Sequence, residues 1–341
     1  MKHFLAVGLA WTLCAFAGEK DGRLDVTWSD VEGGAGTLIV TPSGESVLID
    51  AGNPGERDAG RIYKAATEAG LTRIDHLITT HLHIDHFGGA AELSKLIPIG
   101  TVWDNGVPDK DPDGRNDASW PLKIKAYREM QVEKRAVIKP GVVLPLKQRD
   151  SSPKLSVRCI GAKQKFIEAT AGNATDCASA PEKEKDTSDN ANSVVTLIEF
   201  GKFQLFIGGD LTWNVEKNLI CPKNIVGEVD VYQVTHHGLD QSNNPLVVHA
   251  LKPTVTVMSN GTTKGCGADT ITTLKSVSSI QAMYQIHRNL RADSENNTAP
   301  EFIANLEKDC QGVPIKMSVD PDAANYTMTI PGKGSKTFTT K

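Results

Sequence analysis

The stretch Thr79-Thr80-His81-Leu82-His83-Ile84-Asp85-His86-Phe87-Gly88-Gly89 constrains this chain more than any other. Three histidines and an aspartate fall within six positions, directly after the apolar, β-branched run 74–80, which reads as a buried strand. At the end of such a strand the backbone is free to turn and side chains converge at a sheet edge. Imidazole and carboxylate are the donors that borderline divalent metals take. His81 and His83, two apart in extended chain, face the same way and can share one ion, while a turn at Asp85-His86 directs the next pair toward a second.

The surrounding pattern is α/β. Strands are expected over 25–31, 37–41 and 46–50 as an antiparallel meander, then a helix over 56–69 stopped by Gly70, the strand 74–80 and a helix over 87–98. Residues 104–150 read as a polar, irregular insertion over one face, with a strong turn at Asp111-Pro112-Asp113-Gly114. Residues 170–191 are poor in apolar side chains and read as a mobile loop. Strands over 193–200, 203–207, 229–234, 254–258 and 282–286, alternating with helices near 213–221 and 245–251 and one more before the last strand, complete two half-sandwiches of sheet flanked by helices. The tail, 313–341, reads as a terminal antiparallel addition.

Composition removes other classes. Lys plus Arg number 37 against 41 Asp plus Glu, a formal charge of -4, so the chain has no global basic surface for coating duplex nucleic acid. Thirty glycines and 17 prolines, spread along the chain, exclude coiled coils and helical solenoids. Residues 1–17 have a basic start, an apolar run and small residues at Ala15-Phe16-Ala17, the pattern of a secretory signal. That run is shorter than the roughly 20 residues an anchor needs. The expectation is an exported chain, periplasmic or secreted, with one domain over 18–341 and no transmembrane anchor. In an oxidising compartment Cys177, in a polar loop, and Cys221, before a proline, are expected to pair, and Cys159 to be a buried free thiol.

Three further places carry site residues. Asp50 ends a strand and is expected to support the histidine loop. Asp210 follows the apolar run Leu205-Phe206-Ile207 and Gly208-Gly209, where it either caps the helix that comes next or serves as a metal ligand at a strand end. His236-His237, before Gly238, is read as one ligand and one residue that contacts the substrate or its leaving group, with His236 taken as the ligand, His237 as the other, and the reverse assignment open. His76 and His249 are read as structural.

With these residues in order, the sequence resembles the metallo-β-lactamase superfamily, whose H-x-H-x-D-H signature stands here as His81 to His86. It is similar in flavour to the hydrolase domain of ComEC-type DNA-uptake proteins and to exported phosphorylcholine esterases. The resemblance runs from about residue 24 to 290 and also takes in Leu48-Ile49-Asp50-Ala51-Gly52, Asp210 as the metal-bridging aspartate and Val234-Thr235-His236-His237-Gly238. It implies a four-layer αββα sandwich, one or two zinc ions with manganese as the alternative, ligands His81, His83, Asp85, His86, Asp210 and His236, and hydrolysis by a metal-bound hydroxide that Asp85 orients.

Two departures stand out. No histidine lies between His86 and Asp210, so the family's middle histidine is missing and Asn192 stands where it is expected; and where ComEC-type members carry a further histidine after the next strand, this chain has Ser259 to Cys266, so that Cys266 or the later His287 could substitute, or neither. A depleted first site, or a single ion at Asp85, His86, Asp210 and His236, follows. His237 and Lys264 are candidates for protonating a leaving group and holding an anion, and Asn260 for binding substrate. Polar neighbours, with Ser242 and Asn243 among them and Phe87 as the single apolar one, favour a small phosphodiester substrate. A lactam or lactone hydrolase is the runner-up, and a metal-binding protein with a decayed site the reading from another class.

Overall fold

Period-two alternation sends the side chains of the N-terminal strands to two different cores. In the computed structural model, which describes residues 20–168, 177, 181–293 and 295–341, the strands of the first half are β1 (Leu24–Trp28), β2 (Thr37–Val40), β3 (Ser46–Ile49), β4 (Ile74–Ile78), β5 (Ile99–Asp104) and β6 (Lys134–Val137). Val47 and Ile49 of β3 face one core, Leu48 the other. The second half supplies β7 (Leu155–Ala162), β8 (Lys165–Phe166), β9 (Val195–Phe200), β10 (Phe203–Ile207), β11 (Val231–Gln233), β12 (Val255–Met258), β13 (Ala282–His287) and β14 (Ile303–Asn305). The tail adds β15 (Ile315–Val319), β16 (Asn325–Ile330) and β17 (Gly334–Thr339).

One sheet runs β17-β16-β15-β1-β2-β3-β4-β5-β6, the other β14-β13-β12-β11-β10-β9-β7-β8. Trp28, Ile39, Val47, Ile49 and Ile78 of the first meet Val157, Ile198, Leu205, Ile207 and Val257 of the second in a core between the sheets. Burying each such side chain stabilises by about 1.5–3 kcal/mol. The outer face of the first sheet is covered by α1 (Glu56–Glu68), α3 (Ala90–Leu96) and α4 (Trp120–Glu129), with the short α2 (Ile84–Phe87), which carries Asp85 and His86, following β4. The outer face of the second is covered by α6 (Pro245–Leu251) and α7 (Ala268–Ser276), and the short α5 (Trp213–Glu216) follows β10. The architecture is an αββα sandwich.

The strands β3, β4 and β5 are mutually parallel, as are β10, β11, β12 and β13. Their carboxyl ends therefore point the same way within each sheet, and Val194 N–H donates to Thr80 O (2.8 Å), tying the two ends together. Open α/β sheets place ligands at such strand ends.

Differences from the sequence reading have local causes. The stretch 104–150 is not irregular throughout: α4 buries Trp120, Ile124 and Tyr127, and β6 pairs parallel with β5. The helix expected over 87–98 begins only at Ala90, after the short α2: Gly89 N–H donates to Gly52 O (3.1 Å) instead of within a helix, in a place so close that a Cβ on Gly89 would stand 2.2 Å from Ala51 O. Cys177 and Cys221 are disulfide-bonded and Cys159 is a buried free thiol, as expected. The signal segment 1–17 and residues 169–176 and 178–180 of the loop lie outside the described residues. No helix among the described residues is long and apolar enough to cross a membrane.

Candidate metal centre

Every residue of the centre follows the carboxyl end of a parallel strand: Asp50 after β3, His81 to His86 after β4, Asp210 after β10, His236 and His237 after β11, and Ser259 to Lys264 after β12. The hub is one oxygen, Asp210 Oδ2. The Nε2 atoms of His86 and His237 lie 3.2 Å from it, that of His236 3.5 Å and that of His81 3.8 Å. Asp85 Oδ2 stands 3.4 Å from His86 Nε2 and 3.3 Å from His237 Nε2. Asp85, His86, Asp210 and His237 offer ligand atoms within 4.8 Å of one another.

The far side of each ring is fixed by the fold. His86 Nδ1 sits 2.8 Å from Asp50 Oδ2, and Asp50 also accepts from Thr80 N–H and Thr80 Oγ1 (2.8 Å each). His237 Nδ1 donates to Ser259 O (3.0 Å), and His236 Nδ1 pairs with Ser242 Oγ (3.1 Å). Such outer partners set tautomer and ring orientation in metal sites. Gly209, at φ 58, lets Asp210 approach: a Cβ there would meet Thr80 Cβ at 2.9 Å.

The electrostatics are those of a site built for positive charge. Burial opposes charge on His86, but Asp210, Asp50 and Asp85 hold its pKa well above the ordinary value. Burial likewise opposes charge on Asp210, yet the rings of His237, His86 and His236 hold it well below. Burial pushes His236 down to about 4 and His81 well below its usual range. His81 Nε2 is buried with no hydrogen-bond partner. An orphaned imidazole nitrogen beside two buried carboxylates and three more imidazoles fits a divalent cation, whose charge would replace the protons these groups now share.

Several expected roles change. Of the two histidines between which the ligand was open, His237 belongs to the tight ligand group and His236 touches the same Asp210 oxygen from farther away. His83 packs edge-on against His81, ring centroids 4.6 Å apart, and its Nε2 lies 2.9 Å from Asp113 Oδ1, which holds the His83 pKa up against burial. Asn192 lies elsewhere: its Nδ2 donates to Asp189 Oδ1 (3.0 Å) and its Oδ1 accepts from Gln164. Cys266 is buried against Met258 and Gln285, its thiol pushed up to about 12 by burial. His287 pairs with Asp30 (2.6 Å). Asn260 donates to the carbonyls of Gly261 and His287 and so shapes its loop instead of facing substrate. Asn243 bonds Tyr232 and Thr235 O, and Phe87 packs edge-on against Trp120 and Tyr127. Lys264 does reach the cluster, its Nζ bonding Asp85 Oδ2.

Two residues at the site were missed. Asn190, two positions before Asn192, brings Nδ2 to 3.4 Å from His236 Nε2 and keeps Oδ1 buried without a partner. A 3-10 turn over Asp189–Asn192 presents it, and polar residues before a strand gave no register for choosing between 190 and 192. Asp113 belonged to a turn motif that carried no sign of a histidine partner. Beside the cluster a cleft of about 450 Å³ is lined by His83, Ile84, Asp85, Asp113, Trp120 and Lys123.

Residues 30–148 match the family model described as the metallo-beta-lactamase superfamily. A UPF0173 metal-dependent hydrolase of Polynucleobacter asymbioticus is 35% identical over 79 residues, 23% of this chain and 26% of that protein. Recombination protein 2 of Haemophilus influenzae is 30% identical over 256 residues, 74% of this chain and 26% of that protein. The chain thus spans about a quarter of the length of each of these relatives. Among solved structures, a variant of the CmlA beta-hydroxylase aligns with a TM-score of 0.44 at 17% identity, covering 79% of this chain and 52% of that one. The unbroken motif His81 to His86, at the carboxyl end of a parallel strand, lies inside residues 30–148, the segment in which this chain is similar to the metallo-beta-lactamase superfamily.

Proposed function

We propose that this chain is an exported, zinc-dependent hydrolase whose substrate is a small phosphodiester. The observation that carries the substrate class is Lys264: its ammonium bonds Asp85 Oδ2 at the edge of the ligand cluster, and its side chain remains 36% exposed. A cation at that edge favours a substrate that stays anionic through the reaction over a neutral ring.

Asp85, His86, Asp210 and His237 would hold the ion, with His81 and His236 on the same Asp210 oxygen. A bound divalent ion supplies there a lowered water pKa and a charge that stabilises the oxyanion as it develops. The chain's own residues do the rest. Asp50, Ser259 and Ser242 keep three imidazoles aimed inward. Lys264 pairs with a non-bridging oxygen of the substrate, and the cleft beside His83 and Trp120 receives one ester group. Export rests on the signal-like segment 1–17 and on the Cys177–Cys221 disulfide, a bond of oxidising compartments.

The test is a hydrolysis panel on purified, zinc-loaded protein. Bis-nitrophenyl phosphate is expected to be cleaved, with loss of cleavage on chelation and in Asp85→Asn. Opening of lactam or lactone rings with phosphodiesters left intact would replace this substrate class by the other. Stable metal binding without turnover on any of them would favour a site that has kept its ligands and lost its chemistry.

A further inference from the structure

A second set of donor atoms converges where the two sheets meet and shares no residue with the first. Asp30 follows β1 of one sheet, His287 ends β13 of the other, and Cys310 lies on the connection from β14 to β15. Asp30 Oδ1 is 2.6 Å from His287 Nε2, and Asp30 Oδ2 is 3.3 Å from Cys310 Sγ. The three donor atoms lie within 4.8 Å of one another. We propose that Asp30, His287 and Cys310 form a second metal site, for zinc, which clips the two sheets together.

The donor set is the argument for zinc. Thiolate, imidazole and carboxylate together suit this borderline ion and are poor company for magnesium or calcium. Asp30 and His287 are buried, whereas Cys310 is partly open beside a cleft of about 270 Å³ lined by Asp30, Arg61 and Gly312. That cleft gives the ion an entry and leaves room for water as a fourth ligand. His287 Nδ1 is buried with no hydrogen-bond partner, so the ring is anchored through Nε2 alone, toward the other two donors. On ligation Cys310 gives its thiol proton to solvent, and His287 binds as the neutral imidazole with its proton on Nδ1. Thiolate and carboxylate then cancel the charge of the ion. Arg61 Nη1, 3.0 Å from Asp30 Oδ2, steadies the carboxylate.

Such a clip would also brace the metal centre described above. The Asn260 side chain accepts from His287 N–H and donates to His287 O, and its loop carries both Ser259 O, which orients His237, and Lys264. A zinc ion that fixes His287 would thereby steady that loop.

Cobalt reports on sulfur ligation, which the histidine and aspartate centre cannot provide. The purified chain, stripped of metal and loaded with Co²⁺, is expected to show a near-ultraviolet sulfur-to-cobalt charge-transfer band. The band should vanish in Cys310→Ser and persist in Cys266→Ser, with zinc content falling by one ion per chain in the former. Wild-type protein gives a readout independent of how the variants fold: zinc should shield the Cys310 thiol from a thiol reagent and chelation should expose it. Absence of the band in wild type, unchanged zinc content in folded Cys310→Ser, or equal thiol reactivity with and without zinc would overturn the proposal.

Discussion

His236 and His237 are neighbours in sequence, yet both aim Nε2 at Asp210 Oδ2, at 3.5 and 3.2 Å. Consecutive side chains in extended backbone point to opposite faces. Both residues here have left-handed backbone, φ 56 and 55, which for a residue with a Cβ costs on the order of 1–2 kcal/mol each. The cost is offset by the Ser242 and Ser259 bonds that anchor the two Nδ1 atoms. The strain is what brings two imidazoles from one strand end onto one carboxylate.

Because four rings share that oxygen, Asp210→Ala is expected to lose most of the bound metal, and His237→Ala to lose more than His236→Ala. Elemental analysis of dialysed protein, with circular dichroism to confirm folding, measures this. Equal retention by all three variants would remove Asp210 from the centre.

Asp50 touches no other carboxylate of the cluster but holds His86 Nδ1 at 2.8 Å. Asp50→Asn keeps the shape and weakens the acceptor, so metal affinity should fall roughly 10- to 100-fold, the usual effect of losing an outer partner. Competition with a chelating dye reads the affinity; a wild-type value would mean that Thr80 and backbone alone orient the ring.

The parts legible in sequence were those in which local pattern and final geometry coincide. The run 74–80 followed by His81 to His86 announced a strand end with a cluster, and Asp210 behind an apolar strand announced a partner. The partner of His83 and the place of Asn192 were not legible for a different reason. Which way a ring turns, or which of several asparagines enters, depends on contacts across 30 or more positions, such as His83 with Asp113. The left-handed pair at 236 and 237 leaves no trace in composition either, so the division of labour between those two histidines was not readable.

Lys264 should separate binding from metal content. Lys264→Ala is expected to raise KM for an anionic phosphodiester about tenfold, the value of one charge-assisted hydrogen bond, while zinc stoichiometry stays the same. Lys264→Arg should recover part of the loss. A KM unchanged in the alanine variant would detach the lysine from substrate and leave it a partner of Asp85 only.

Glu216, near the end of the short helix after β10, gives a pH signature away from the metal ligands. It is buried, accepts from Asn244 N–H at 2.7 Å, and burial pushes its carboxyl up to about 7 from 4.5. The folded state therefore binds this proton more tightly than the unfolded chain does. The stabilisation is complete below the unfolded value and is lost as pH rises toward about 7, above which it does not change further. The loss is on the order of 2–3 kcal/mol. Glu216→Gln keeps an acceptor for Asn244 N–H and cannot ionise, so its stability relative to wild type should rise by about that amount between pH 5 and pH 8. Urea denaturation of both proteins at the two pH values, with metal removed by a chelator, measures the difference. Parallel stabilities across that range would mean that Glu216 titrates at an ordinary carboxylate pKa, with the backbone donors around it outweighing its burial.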